Sequence, residues 1–249
     1  MASDPIAIDI SHWQEDPLDF DKVKTTGVQA VVLKATQGLS YVDPTLAKRR
    51  NAAQQAGLLT STYHFMENGK KSDIAKQIQH YLRTVNPQPG ERMILDVEDT
   101  ITTLNDIIAA VEALVADSRA LQVTIYSGHV IKDLLKNNAN ATLSKYTSLW
   151  LAQYTTGTPS WPTAVWPKWT LWQYSDTGEV SGINGPVDVN RFNGTDDNFC
   201  KWIAPASVPA PDPTPTPDED VPLVELTINS DRPIQLKLTV NANVNQINP

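Results

Sequence analysis

The sequence contains a single cysteine, Cys200, among its 249 residues. One thiol cannot form an internal disulfide, and it cannot supply a cysteine cluster for a structural zinc ion. Disulfide-stapled folds and cysteine-ligated zinc sites are therefore excluded. We expect Cys200 to be a buried structural thiol.

Excess positive charge and long apolar runs are also missing. The 20 basic side chains are outnumbered by 28 acidic ones, which gives a formal net charge of -8. Proteins that bind nucleic acid by neutralising phosphates need the opposite sign. No apolar run approaches the roughly 20 residues of a membrane-spanning helix. The sequence therefore predicts a soluble protein with neither a nucleic-acid partner nor membrane insertion.

The amino terminus has no features of a secretory leader. It reads Met-Ala-Ser-Asp-Pro-Ile, without the basic segment and the apolar stretch of roughly 7 to 15 residues that such leaders carry. This predicts a protein that begins its life in a cytoplasm, or one from which a leader has been removed.

Proline is concentrated near the carboxyl end. Residues 205–222 hold 7 of the 18 prolines and four acidic side chains, which is half of the net charge, but no basic side chain. This composition favours extended polyproline II conformation and cannot bury a core. We therefore predict a semi-rigid linker between a body, residues 1–204, and a tail, residues 223–249.

The tail alternates apolar and polar residues in two runs, which begin at Val224 and Ile234. This pattern predicts a β-hairpin with one apolar face. Because two strands are only marginally stable in water, we expect the face to pack on the body, on a second copy in an oligomer, or on a larger particle. A wall-binding module is the alternative, but the tail has no aromatic ring to stack on a sugar.

Eight short apolar runs recur in the body, separated by helical patterns at residues 43–56, 73–85, 103–119 and 129–137. Alternation of this kind is typical of an α/β fold. The strand ends of a (β/α)-type barrel converge on one face. We therefore predict such a barrel, irregular over residues 155–184, with an acidic, aromatic-walled pocket. The residues that follow the runs are Asp9, Lys34, Tyr63, His64, Asp96, Glu98, Tyr126, Gln153, Tyr154, Gln173, Tyr174 and Asp188.

Two carboxylates, Asp96 and Glu98, stand two residues apart at the end of one run. Alternate residues of a strand share a side, so both should face the pocket while Val97 faces outward. Two like charges this close cannot both ionise freely. If apolar groups desolvate Glu98, its raised pKa lets it act as a general acid.

Asp9 and Asp188 should join this pair if the barrel closes between its first and last strands. Four acids with Lys34 as the nearby cation suit glycoside hydrolysis, which develops a cationic transition state and must protonate a leaving oxygen. The alternatives are that single aspartates cap helices, that Lys34 is a structural counter-ion, or that the acids hold Mg²⁺ or Ca²⁺. The spacing matches no calcium loop, and we predict neither a metal nor a cofactor. His64 is expected to be a hydrogen-bonded core histidine.

Tryptophan is clustered. Five of the seven lie within 23 residues, beside Tyr154 and Tyr174. Flat amphipathic rings suit the apolar faces of sugars, although such residues are also common in cores, and we expect about half of them to be buried. The five are Trp150, Trp161, Trp166, Trp169 and Trp172.

Seven motifs together resemble those of glycoside hydrolase family 25 lysozymes, the Chalaropsis-type muramidases common among phage endolysins. The resemblance covers about residues 5–204. It implies a flattened, irregular α/β barrel and hydrolysis of the β-1,4 bond between N-acetylmuramic acid and N-acetylglucosamine in bacterial peptidoglycan. The motifs are DISHWQ from Asp9, LKATQG from Leu33, YHF from Tyr63, LDVE from Leu95, WLAQY from Trp150, LWQYS from Leu171 and DVNRF from Asp188.

The resemblance also implies residue roles. Glu98 is the expected general acid, and Asp96 is expected to orient the substrate or stabilise the intermediate. Either the substrate's own 2-acetamido group attacks the anomeric carbon, or Asp9 or Asp96 is the nucleophile. Asp188 is the remaining pocket acid. The expected substrate-binding residues are Lys34, Tyr63, Tyr126, Trp150 and Gln173; Gln37 stands where such proteins often carry Glu.

Other functions remain open at this point. A chitinase-type enzyme would want an Asp at position 94, where this chain has Ile94. A catalytically inactive wall-binding or virion component is the alternative from a different class. The expected setting is that of a phage endolysin, which waits in the host cytoplasm until a holin releases it.

Overall fold

The computed structural model describes residues 6–70 and 73–204. The predicted linker, residues 205–222, and the predicted hairpin tail, residues 223–249, lie outside the described residues. Within the described residues no helix is both long enough and apolar enough to cross a bilayer.

Eight strands close into a barrel, which confirms the predicted irregular α/β barrel. Closure occurs at the first strand, which pairs in parallel with the second strand and antiparallel with the last. A two-residue strand, β3 (Tyr41–Val42), lies outside the ring and pairs with β2. The barrel strands are β1 (Ala7–Ile10), β2 (Ala30–Gln37), β4 (Leu59–Phe65), β5 (Arg92–Asp96), β6 (Gln122–Ser127), β7 (Thr147–Ala152), β8 (Leu171–Gly178) and β9 (Val187–Phe192).

All eight predicted apolar runs form these strands, but the direction of the last one differs from the expectation. The barrel strands from β1 to β8 all run parallel to one another. The last strand, β9, is antiparallel to both of its neighbours, β8 and β1. Asp188 therefore lies near the start of its strand, not at its end. Because β9 runs the opposite way, its start lies at the same face as the ends of the parallel strands.

The helices surround the barrel, and the four predicted ones form with shorter bounds. Helix α2 begins after a turn in which the Asp43 carboxylate accepts hydrogen bonds from the Thr45 backbone N–H and hydroxyl. Helix α4 stops before Asp117, whose carboxylate binds the Arg119 backbone N–H and guanidinium and holds a turn. The helices are α1 (Phe20–Thr25), α2 (Leu46–Gln55), α3 (Ile74–Val85), α4 (Leu104–Val115), α5 (His129–Leu135), α6 (Ala141–Tyr146) and α7 (Asp196–Ile203).

Two apolar layers result from the alternation of side chains along each strand. On β2, Val31 and Leu33 face the helices, whereas Ala30 and Val32 face the barrel interior. Phe199 and Ile203 of α7 pack against this interior cluster. The polar side chains at the strand ends lie above this apolar interior layer. Apolar side chains therefore fill the lower part of the barrel, and the groups available for catalysis lie at its upper face.

No helix or strand forms between β7 and β8, residues 153–170, as the Gly, Pro and Trp content of the segment predicts. The chain there packs its tryptophans onto the outer apolar layer instead. Of the range expected to be irregular, residues 155–184, this confirms residues 155–170, whereas residues 171–178 form β8 with register shifts in its pairing to β9.

Replacing Leu171 by Ala should destabilise the fold by about 2–5 kcal/mol, because this fully buried side chain fills the barrel interior and its loss leaves a cavity. Urea unfolding monitored by tryptophan fluorescence measures the change. Ile101→Ala is the matched control, since Ile101 is 52% exposed and should alter the free energy of unfolding by about 0.5 kcal/mol or less. Equal losses in the two variants would contradict the assigned interior position.

Candidate active site

Asp9 and Asp188 lie side by side at the closure of the barrel, as register partners on β1 and β9. Burial raises the pKa of Asp9 well above its ordinary value, the charge of Asp188 raises it further, and hydrogen bonds from Asn190 and Gln173 oppose the rise. Burial likewise raises the pKa of Asp188 to about 6. The two acids therefore form an electrostatically coupled pair.

Two buried amides hold the Asp9 carboxylate. Gln173 Nε2 donates to Oδ1 at 3.0 Å and to Oδ2 at 3.1 Å, and Asn190 Nδ2 donates to Oδ2 at 2.8 Å. The hydroxyl groups of Tyr126 and Tyr154 each donate to Gln173 Oε1 at 2.8 Å. In this structure the Gln173 amide therefore binds the Asp9 carboxylate and helps to fix its position.

Asp96 and Glu98 project toward the same pocket from the end of β5, and Val97 packs fully buried in the outer layer, as predicted. Asp96 is 5% exposed, and its Oδ1 accepts no hydrogen bond from the described residues. Burial raises the pKa of Asp96 well above its ordinary value, and the charge of Glu98 adds to the rise, while Lys34 lowers it.

Glu98 is solvent-accessible at the mouth of the pocket. Its surroundings nevertheless remove part of its hydration, and this desolvation raises its pKa, whereas His129 and Lys34 act in the opposite direction. The expected rise in the pKa of Glu98 is present, and the pKa of Asp96 is raised as well. The deeper carboxyl, Asp96, has the larger rise because it is more completely buried.

Lys34 is buried beside these acids on β2. Its Nζ donates to Gln37 Oε1 at 2.9 Å and lies 5.0 Å from the centre of the Phe65 ring. Burial lowers the pKa of Lys34, while the charges of Asp96, Asp43 and Glu98 raise it. The ammonium group therefore belongs to the electrostatics of the carboxylate pocket, as the sequence suggests.

The two predicted tyrosines also reach the pocket. Tyr63 is the register partner of Lys34, and Tyr126 that of Asp96. Burial, followed by the charges of the pocket acids, raises the pKa of both phenols well above the ordinary value. Both hydroxyls therefore stay protonated, and the single O–H of Tyr126 is the one that donates to Gln173 Oε1.

Trp150 does not line a sugar subsite as expected. Its ring is 1% exposed in the barrel interior, packs edge-on against Tyr126 at 4.7 Å, and donates through Nε1 to Asn190 Oδ1 at 2.7 Å. The other four tryptophans pack in or against the outer core, two of them buried and two half-buried, so three of the five are buried, close to the expected half. These four are Trp161, Trp166, Trp169 and Trp172.

An exposed aromatic groove lies instead beside Lys34. It has a volume of about 450 Å³ and is bordered by Trp13, which is 77% exposed, and Tyr41. His12 packs against Trp13 with ring centres 4.7 Å apart and a tilt of 36°, and its Nδ1 lies 3.1 Å from Asp43 Oδ2 and 3.0 Å from the Tyr41 hydroxyl. These contacts hold the rings of a loop in place.

Sequence reasoning missed these groove residues and also Asn190. A signal for Asn190 existed, because it lies two residues after Asp188 and so shares its side of β9. Trp13 and Tyr41 carry no comparable signal, since Trp13 lies in a turn and the two-residue strand of Tyr41 is too short to show a period.

Two lesser expectations concern His64 and Cys200. His64 is fully buried and hydrogen-bonded to Thr36 and Gln77, as predicted for a core histidine, and burial lowers its pKa to about 4. Cys200 is only half-buried, with Sγ donating to Gln29 Oε1 at 3.2 Å, because α7 lies at the barrel end and not between layers. Across residues 6–70 and 73–204, no three or more His, Cys, Asp or Glu side chains are grouped as a metal site.

The sequence profile of Glycosyl hydrolases family 25 matches residues 8–183. The chain belongs to this family. It is 31% identical over 180 residues to the autolytic lysozyme of Clostridium acetobutylicum, covering 71% of this chain and 52% of that protein, about half its length. Lysozyme M1 of Streptomyces globisporus is 30% identical over 209 residues, with 76% and 67% covered. The crystal structure of a bacterial lysozyme from Streptomyces coelicolor has a TM-score of 0.65 at 25% identity, with 77% and 93% covered.

Replacing Asp96 by Asn should stabilise this family 25 chain at pH 7. A carboxyl whose folded pKa is raised binds its proton more tightly when folded, so its contribution to stability falls as pH rises above about 4. Removing the charge should add about 1 kcal/mol or more at pH 7, and the gain should shrink toward pH 4. Urea unfolding at both pH values measures it.

Asp133→Asn serves as the control, because Asp133 is exposed on α5 and its charge is solvated. The assigned electrostatics would be refuted by a gain for Asp96→Asn that is absent at pH 7, or one that is equal at the two pH values.

Proposed function

We propose that the chain is a peptidoglycan hydrolase, a muramidase that cleaves the β-1,4 bond between N-acetylmuramic acid and N-acetylglucosamine. The observation that carries this is the unequal placement of two carboxyls: Asp96 is buried with an oxygen that accepts no hydrogen bond from the described part of the chain, and Glu98 is accessible. Membership of the family and relatives named lysozyme support the same activity.

Glu98 is the proposed general acid. It can reach a polymeric substrate because it is solvent-accessible, and its raised pKa keeps the carboxyl protonated closer to neutral pH. Protonation of the glycosidic oxygen allows the bond to the anomeric carbon to break. The resulting carboxylate then takes a proton from the water that completes hydrolysis.

Asp96 is proposed to act on the 2-acetamido group of the sugar. Its free Oδ1 can accept the acetamido N–H, which directs the acetamido carbonyl oxygen to the anomeric carbon as the glycosidic bond breaks. The cyclic intermediate carries positive charge, and the neighbouring acids stabilise it. Asp9 is a poorer candidate nucleophile, because both of its oxygens already accept hydrogen bonds from amides.

The aromatic groove supports a glycan substrate. Its volume of about 450 Å³ is sufficient for a sugar ring, and Trp13 and Tyr41 offer flat exposed faces beside Lys34. Lys34 links this groove to the acid pocket, since its charge interacts with Asp96 and Glu98. A glycan that binds along the groove would therefore place its next glycosidic bond beside Asp96 and Glu98.

Replacing Glu98 by Gln should lower muramidase activity by about 10²-fold or more, because the amide cannot donate the catalytic proton. The assay digests purified peptidoglycan and identifies the new reducing ends. Glu112→Gln, on the exposed face of α4, is the matched control and should keep full activity.

Each outcome of the digestion has a defined meaning. Muramic acid ends support the proposal, and glucosamine ends show a glucosaminidase instead. Binding to peptidoglycan without new ends shows the inactive wall-binding or virion component. A folded Glu98→Gln protein with undiminished activity would remove the role assigned to Glu98.

We also propose an endolysin role, in which the enzyme acts on the wall of a bacterial host after a holin opens the membrane. Its support is the resemblance of the sequence motifs to those of phage enzymes. Expression in a bacterium with and without a holin tests it: lysis only with the holin supports the role, and lysis without it contradicts holin dependence.

A further inference from the structure

Asn190 is fully buried on β9 and links two groups of the barrel interior. Its Nδ2 donates to Asp9 Oδ2 at 2.8 Å and to the Ala7 backbone carbonyl at 3.3 Å. Its Oδ1 accepts from Trp150 Nε1 at 2.7 Å. Both ends of the amide therefore have partners, and the side chain has no freedom to turn without losing them.

The direction of these hydrogen bonds is fixed by Trp150. An indole nitrogen can only donate, so the oxygen of the Asn190 amide must face Trp150. The amide nitrogen must then face Asp9, which has to accept. Because the Trp150 N–H must donate to the Asn190 oxygen, the Asn190 N–H is left to donate to the Asp9 carboxylate.

The other amide on Asp9 is oriented less strictly. Gln173 receives the hydroxyl groups of Tyr126 and Tyr154, and a phenol can rotate and can accept as well as donate. The indole has neither option. Asn190 with Trp150 is therefore the stronger constraint on the position of Asp9.

Asp9 depends on these amides because its surroundings offer little else. Among the described residues no basic side chain forms a salt bridge with Asp9. The ionised form is opposed by burial and by Asp188, and favoured by Asn190 and Gln173. The titratable groups that interact with Asp9 are Asp188 of β9, Asp96 at the end of β5, Tyr63 of β4, Tyr126 of β6 and Tyr154 after β7, and beyond Asp96 lie Glu98 and Lys34 of β2.

We propose that Asn190 is a positioning residue that holds Asp9 as an oriented acceptor, and that the Trp150 indole N–H influences the reaction through Asn190. The proposal rests on the muramidase function for its activity readout. It replaces direct sugar contact by Trp150 with an indirect role that the buried ring can perform.

A double-mutant cycle tests the dependence of Trp150 on Asn190. Asn190→Leu should lower kcat/KM on peptidoglycan fragments about ten- to a hundredfold, the usual effect of losing a hydrogen bond to a charged group. Trp150→Phe should lower kcat/KM about threefold, with KM unchanged. The double variant should equal Asn190→Leu alone, because Phe keeps an aromatic ring against Tyr126 and the indole N–H that it removes acts through the Asn190 amide.

Additive losses in the double variant, or a rise in KM for Trp150→Phe, would overturn the indirect role. Asn193→Leu is the matched control, since Asn193 follows β9 and its Nδ2 donates to the Trp169 carbonyl, away from the pocket. Thermal unfolding checks that each variant is folded. If Asn190→Leu does not fold, Asn190→Ser takes its place in the cycle.

A second readout is independent of activity. In protein with carbon-13-labelled aspartate carboxyls, the titration midpoint of Asp9 should move to higher pH in the Asn190 variant, because the ionised form loses a donor. Asn193→Leu should leave the midpoint in place. An unmoved midpoint in the Asn190 variant overturns the proposal.

The two readouts separate two kinds of failure. Wild-type protein that hydrolyses no peptidoglycan contradicts the proposed function, while the carboxyl titration still decides whether Asn190 holds Asp9. With an active wild type, the acid limb of the pH profile of kcat/KM should move upward in the Asn190 variant. A uniform loss at every pH would indicate a merely structural role and contradict the proposal.

Discussion

The closure of the barrel at β1 is the constraint on which the site depends. This four-residue strand pairs in parallel with β2 and antiparallel with β9, so residues from the two ends of the body become neighbours. Asp9 and Asp188 are 179 residues apart in sequence and register partners in the sheet. Without that antiparallel pairing the first and last acids would not share a pocket, and Asn190 would not reach Asp9.

Closure of the barrel buries several carboxyl groups close together, and hydrogen bonds from the protein stabilise the ionised form of only some of them. Burial raises the pKa of Asp9, Asp96 and Asp188, and the charge of a neighbouring carboxylate adds to each rise. Asp9 is compensated by two amides, whereas one oxygen of Asp96 has no hydrogen-bond partner within residues 6–70 and 73–204. A fold selected for stability alone would not leave a buried carboxyl in this state, and such exceptions are typical of functional sites.

Much of the fold and the acid pocket could be predicted because strands have a simple period. The alternation that buries Val97 outward also turns Asp96 and Glu98 inward, and it applies equally to Asp188 and Asn190. The clustering of tryptophans in the sequence did not predict which rings are exposed. The clustered rings pack in or against the core, and the exposed Trp13 belongs to a loop whose direction depends on His12, Asp43 and Tyr41.

The sequence by itself determined the eight strands, the convergence of their polar ends and the four acids, since these follow from local periodicity and from the geometry of parallel strands. Only the tertiary structure decided that β9 is antiparallel, that Trp150 supports Asn190 in the interior, and that Asp96 is buried more deeply than Glu98. These features depend on contacts between residues far apart in the chain. Burial and hydrogen-bond partners are properties of the packed barrel, and no local pattern encodes them.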